Sequence, residues 1–388
     1  PILFKTYKMN DMKGKQGMVC MGLLLVLSSC HTGKQITASG LQRKDFQTEV
    51  NGQHTDLFTL SNKQGMEVCI TNYGARVVSI LVPDRNGKRE DVVCGFSTIT
   101  EYMEQRQNFG STVGRYIGRI LNARFTLDGV EYKLVPNNGK SGHISHGGNP
   151  GFADRIWKVE QADTHRVRLS YLSPDGENGF PGNLKVTLVY SLGEDDNALD
   201  LTYEATTDAP TVLNLSHHSF FNISGNFTKS VEDQQLWVDA DRFTPYDDKK
   251  CVTGEYLQVA GTPLDFRMPH AIGECIDADH PQLKVVNGYD HTWELNTKGD
   301  DTRPAAWVYD PASGRKMEIF TTEPGMQIYT GNGLKGKMTG KRGIAYPFRS
   351  AVCFETMHFQ DSPNQPGFPS TVLRPGEVFR SHTVYKFE

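Results

Sequence analysis

The sequence predicts an all-β chain folded as a large antiparallel β-sandwich, and three observations carry that prediction. Apolar and polar residues alternate with a period of two over much of the chain after residue 55. The alternating runs are bounded by Gly, Pro, Asn and Asp, and the chain holds 38 Gly and 19 Pro in 388 residues. Outside residues 19–29, no apolar run with the 3.6-residue helical period lasts a dozen residues. Strands joined by turns without intervening helices pack as a sandwich or a barrel.

The elements follow in order. Residues 66–70 and 76–82 alternate as strands, and Asn86-Gly87 is a hairpin turn that returns the chain along 91–96. Asp128-Gly129 marks a second hairpin between 125–127 and 130–134. Strands are expected at 167–172, 184–192 and 199–206, then at 306–309 and 316–321 around the turn 310–314. Residues 382–387 close the chain as a strand. The long connections 136–156 and 224–292 are the expected site loops, because long irregular loops are usually functional. With no Pro/Ser-rich linker in sight, one large domain is preferred to two small ones.

Charge and cysteine usage exclude other classes. The 41 Lys+Arg nearly balance 45 Asp+Glu, a net charge of −4, which argues against a nucleic-acid partner. Seven cysteines are too few for a disulfide scaffold. Residues 19–29 form an uncharged apolar run, too short for a stable transmembrane helix, with Lys13 and Lys15 just before it. The run ends Leu27-Ser28-Ser29-Cys30, which resembles a bacterial lipobox, in which the Cys is lipidated and becomes the first mature residue. The expected organisation is therefore a leader and signal peptide over 1–29, a tether over 30–40, and a single domain over 41–388. Residues 1–8 precede the first plausible start, Met9 or Met12. The address implied is extracytoplasmic, in the periplasm or outer membrane of a Gram-negative bacterium, with membrane contact only through a lipid on Cys30. Beyond Cys30 the mature chain has Cys69, Cys94, Cys251, Cys275 and Cys353, an odd number, and no essential disulfide is expected.

Two motifs are decoys. Gly331-Asn332-Gly333-Leu334-Lys335-Gly336 matches a dinucleotide fingerprint, but a turn-forming stretch follows where a helix must meet the phosphate. His143 with His146, and His217 with His218, lack the reinforcing ligands of a zinc site, so no metal is expected. No Gly-x-Ser-x-Gly nucleophile elbow is present.

What remains is a series of polar segments. They are Gly114-Arg115-Tyr116-Ile117-Gly118-Arg119, His146-Gly147-Gly148, Asn214-Leu215-Ser216-His217-His218, Gly288-Tyr289-Asp290-His291, Pro324-Gly325-Met326-Gln327 and Phe354-Glu355-Thr356. A carboxylate, imidazoles, an Arg, an Asp and a Gln among aromatics suit a ligand rich in hydroxyls. Without a nucleophile–base pair or a cofactor motif, general acid–base chemistry is left.

These six segments, in this order, resemble aldose 1-epimerase, also called galactose mutarotase, from about Thr59 to Phe387. The resemblance implies the mutarotase-like supersandwich with a monosaccharide such as galactose or glucose in a groove on one sheet, and no cofactor. It implies that Glu355 is the general base at the C1 hydroxyl and His218 the general acid at the ring oxygen, with His218 protonated and Glu355 ionised at the start. It implies that His146 holds the same region of the sugar, and that Arg119, Asp290 and Gln327 bind hydroxyls. His143, His217, His291 and His358 are expected to be structural. Two positions depart from the pattern: His217 and Gly118 stand where the family commonly has Asn, and Gly cannot offer an amide to a sugar. A monomer or weak dimer is expected. The rival readings are a non-catalytic carbohydrate-binding lipoprotein, which has no need of Glu355 with His218, and a glycosidase, which needs a second carboxylate such as Asp290.

Overall fold

Three antiparallel sheets share one apolar core in the computed structural model, which describes residues 35–388. The leader, Lys13, Lys15 and the lipidation candidate Cys30 lie outside the described residues. The largest sheet has nine strands, in the spatial order 158–162, 166–173, 184–192, 198–207, 379–387, 316–321, 306–309, 235–238 and 270–271. Alternation makes it legible: along Leu184–Leu192 and Ala198–Thr207 every second residue is buried. The apolar rows of this sheet meet those of a six-stranded sheet, ordered 220–221, 352–357, 325–329, 290–294, 242–244 and 257–258. A four-stranded sheet over 57–61, 67–71, 76–83 and 89–91 adds Leu60, Val68, Ile70 and Ile80 to the same core.

The sequence expectations need three adjustments. The return strand after Asn86-Gly87 covers Arg89–Asp91 rather than 91–96. The cause is the buried Asp91, whose carboxylate accepts the Ile80 and Val93 N–H groups and the Lys341 ammonium at 2.6 Å, so a side chain replaces the ladder. The connection 224–292 is not structureless: it holds four short strands, the helix Pro281–Val286 and the start of strand Asp290–Glu294. Their two to four residues each are too few to display a period. The connection 136–156 holds only the short strand Ile144–Ser145 and two helical turns. Residues 36–42, expected around the end of a tether, pack onto the domain, with Ile36 bridging Gln42 and Ser39 N–H donating to Glu67.

The seven-residue helix Ile99–Gln105 starts at a capping box between Thr98 and Glu101. It leads into residues 107–109, of which Gln107 and Asn108 border the cleft described below. The buried Arg76 guanidinium fixes this segment by donating to Gln107 O at 2.6 Å, Phe109 O at 3.1 Å and, across the gap, Ala153 O at 2.8 Å. Cys69, Cys94, Cys251, Cys275 and Cys353 are free thiols.

His382 joins the closing strand to its neighbours. Its Nε2 lies 2.5 Å from Asp200 and its Nδ1 2.6 Å from Asp301, so both ring nitrogens serve as donors. The bond to Asp200, reinforced by Asp301 against the opposing effect of burial, raises the imidazole from 6.5 to about 9. A raised base binds more protons folded than unfolded. Its stabilisation is complete below pH 6.5 and is lost as pH rises through about 9. The melting temperature is expected to fall across this window, and His382→Gln to flatten the fall. An equal slope in the variant, read by calorimetry, would remove the assignment.

Candidate active site

Strand register builds the site. On the six-stranded sheet Thr292 pairs with Gln327 and Gln327 with Glu355, which sets these three side chains in one cross-strand row. Asp290, Tyr329, Cys353 and Phe220 form the next row. The residues between, such as Trp293, Ile328 and Phe354, point into the core. Strands 325–329 and 352–357 therefore carry a hydrophobic face and a polar face, with both faces covered.

The polar face floors an open cleft of about 250 Å³, lined by His218, Glu355, His146, Arg119, Asp290 and Gln327 together with Phe220, Tyr329, Met357 and Gln360. All six residues expected to serve the sugar thus line one cleft. His143, His217, His291 and His358 do not line it. His143 sits beside Cys251 Sγ at 3.3 Å, His291 is fully buried, and His358 is bonded to Glu323 at 2.7 Å.

His218 and His217 separate by strand alternation on Ser216–His218. The His218 ring stacks on Phe220 at 5.0 Å, and its Nε2 lies 3.3 Å from Glu355 Oε1. The His217 ring turns the other way, between Tyr190 and Tyr385, and bonds Ser219 Oγ at 2.7 Å. The departure at 217 thus changes the core rather than the sugar contacts.

His146 reaches the cleft from a loop at φ +53°, with its ring 5.6 Å from that of His218. Its Nδ1 accepts the Gly118 N–H at 3.4 Å, so the neutral ring keeps its proton on Nε2. Burial, helped by the Arg119 charge, lowers this imidazole to about 4. At neutral pH His146 is an uncharged donor. Its loop depends on Gly147, where φ is +78° and a Cβ would fall 2.0 Å from Gly114 O. Gly147→Ala must displace His146, and kcat/KM is expected to fall about 10²-fold, the cost of misplacing a reacting contact by about 1 Å. Unchanged steady-state kinetics would show that the loop does not position His146.

At the other end, Gln327 Nε2 donates to Asp290 Oδ1 at 2.7 Å, and Gln327 Oε1 accepts from Thr292. Burial raises the Asp290 carboxyl, opposed by the Arg119 charge and the Gln327 bond. Arg119 Nη1 donates to Lys250 O at 3.2 Å.

Burial works against the expected pair of an ionised Glu355 facing a protonated His218. Glu355 is 4% and His218 6% exposed. Burial pushes the Glu355 carboxyl well above its ordinary value, and the Asp290 charge adds to the rise. Burial pushes the His218 imidazole well below its ordinary value, with His146 the next cause. Both shifts favour the pair as a carboxylic acid beside a neutral imidazole. It holds one proton in this form and one proton as carboxylate and imidazolium, so the reactive form differs only in where that proton sits.

Among the described residues, His218, Cys353 and Glu355 are the group of metal-type side chains whose ligand atoms lie within 4.8 Å of one another. An ion there would occupy both His218 and Glu355, so metal binding competes with acid–base use of the pair. The motif at 331–336 is followed by turns, bends and the three-residue 3-10 turn Lys341–Gly343 rather than an α-helix whose N-terminus could meet a phosphate.

Phe220, Tyr329, Met357 and Gln360 were not assigned to the site from the sequence. Phe220, Tyr329 and Met357 share strand parity with assigned residues, so the pattern contained them. Gln360 lies beyond the end of strand Val352–Met357, where parity no longer applies.

Comparison with known proteins agrees with this geometry. The family model described as aldose 1-epimerase matches residues 56–386. The chain is 40% identical over 331 residues to galactose mutarotase of Bos taurus, covering 85% of this chain and 93% of that protein. It is 36% identical over 340 residues to aldose 1-epimerase of Escherichia coli K12, covering 87% of this chain and 96% of that one. Among solved structures, the GalM/aldose epimerase homologue of C. elegans superposes with a TM-score of 0.79 at 31% identity, covering 86% of this chain and 99% of that chain. Galactose 1-epimerase of Lactobacillus acidophilus superposes with a TM-score of 0.76 at 28% identity, covering 88% of this chain and 96% of that chain.

Proposed function

The chain belongs to the aldose 1-epimerase family, and we propose that its cleft interconverts sugar anomers through Glu355 and His218. The enzyme is an isomerase, a mutarotase acting on aldohexoses. The observation that carries the residue assignment is the buried contact of 3.3 Å between a carboxyl and an imidazole, in a cleft that also holds His146, Arg119, Asp290 and Gln327.

The reaction needs one proton removed and one delivered, at different oxygens of the same carbon centre. Glu355 as carboxylate takes the proton of the C1 hydroxyl. The C1–O5 bond breaks, O1 becomes the aldehyde oxygen, and O5 takes the proton of the His218 imidazolium. Rotation about C1–C2 presents the opposite carbonyl face. His218 then removes the O5 proton, O5 closes on C1, and Glu355 returns a proton to O1. Each group ends as it began, so no co-reactant is consumed. His146 donates its Nε2 proton to a sugar oxygen near the reacting centre, while Arg119, Asp290 and Gln327 hold hydroxyls.

Magnetisation exchange between the anomeric protons of glucose or galactose tests the reading. The protein is expected to bring that exchange into the seconds range at catalytic concentration. Release of new reducing ends from an oligosaccharide, without anomer exchange, would favour a glycosidase instead.

The anchor forms part of the same proposal: Cys30 carries a lipid, and the enzyme works outside the cytoplasm, in the periplasm or at the outer membrane. The basic residues Lys13 and Lys15, the apolar run 19–29 and the small residues before Cys30 support it. Cys30→Ala is expected to move the protein from the detergent phase to the aqueous phase in a phase-partition assay. Equal partitioning of the two proteins would reject the anchor.

A further inference from the structure

Gly118 carries no side chain, and the structure shows what fills the space beside it. A Cβ built on Gly118 would meet Gln360 Cγ at 2.5 Å and Cδ at 3.1 Å. The Gln360 side chain therefore occupies the place that a side chain at 118 would need. It lines the cleft and is only 5% exposed. Its Nε2 donates to Tyr246 Oη at 2.7 Å and to Gln327 Oε1 at 3.3 Å. Its Oε1 accepts the Arg119 N–H at 3.3 Å. Both amide hydrogens are thus committed, while the carbonyl oxygen, with two lone pairs, has used one.

From this we propose that Gln360 is a sugar-binding and specificity-determining residue, and that Gly118 and Gln360 form a compensating pair. The Gln360 carboxamide supplies, from the turn after strand Val352–Met357, the polar contact that an Asn side chain at 118 would supply from the facing loop. Its remaining lone pair accepts a sugar hydroxyl. Its other bonds tie together Arg119, Tyr246 and Gln327, and through Gln327 the Asp290 carboxylate, so it also sets the spacing of the hydroxyl-binding end. The inference rests on the reading of this cleft as a monosaccharide site.

A mutant cycle tests the pair. Gln360→Ala is expected to raise KM about tenfold, the loss of one buried hydrogen bond, with kcat changed less than about twofold, and to alter the ratio of KM for galactose and glucose. Gly118→Asn is expected to lose more than about tenfold in kcat/KM, because the new Cβ meets Gln360; Asn is chosen because it tolerates the φ of +76° at this position. The double variant Gly118→Asn/Gln360→Ala is expected to recover most of the wild-type kcat/KM. A merely structural role would not give a KM effect with kcat retained, nor this recovery. Wild-type KM for both sugars in Gln360→Ala, or a double variant no better than Gly118→Asn, would overturn the pair. Absence of mutarotation in the wild-type protein would instead overturn the reading beneath it.

Discussion

Glu355→Gln is expected to lower kcat by about 10²–10⁴-fold, the range of one positioned general base, and to melt no lower than the wild-type protein. The substitution keeps the side-chain shape and removes the group that accepts the C1 proton. The stability half follows from burial. The folded protein holds the Glu355 carboxyl well above its unfolded value of 4.5. Folded protein therefore binds more protons than unfolded protein, and the ionisable carboxyl costs stability increasingly as pH rises above 4.5. Gln carries no such cost, so the melting temperature of the variant is expected to gain on the wild type as pH rises. Polarimetry for the rate and calorimetry for melting read the two halves separately. A variant that loses turnover because it is unfolded would contradict the second half, and a fully active one would remove the base assignment.

His218→Asn is expected to lose turnover on the same scale of about 10²–10⁴-fold, and the double variant with Glu355→Gln to be little worse than either single one. The two groups handle the same proton pair, and residues that act as a unit do not add. The wild-type pH profile follows from the shared proton. Activity requires the pair to hold one proton. The second proton binds only below the ordinary imidazole value of 6.5, because burial depresses His218. The single proton leaves only well above 4.5, because burial raises Glu355. The acid limb of the kcat/KM profile is expected below pH 6.5. An acid limb centred at or above 6.5 would show that His218 is not depressed in the working enzyme.

Legibility in the sequence followed burial. Strands 184–192 and 198–207 declared themselves because one face is buried and the other wet, which writes a period of two. Strands 325–329 and 352–357, which carry Gln327 and Glu355, are covered on both faces and show no such alternation. Their polar residues stood out only as motifs, through the family resemblance. Those motifs were enough to bring His218, Glu355, His146, Arg119, Asp290 and Gln327 to one cleft. Two things needed the fold. His217 and His218 are adjacent in sequence, and only strand direction shows that one faces the core and the other the cleft. Gln360 meets Gly118 across the fold, a contact that no local pattern encodes. The opposite shifts of Glu355 and His218 were also out of reach, since they depend on how deeply the pair is buried.

The most direct measurement is the first-order decay of optical rotation of freshly dissolved α-D-galactose at neutral pH, with wild-type protein and with Glu355→Gln at equal concentration. The account predicts strong acceleration by the wild type and a rate close to buffer alone for the variant. An unaccelerated decay with the wild type, or an equal acceleration by both proteins, would contradict it.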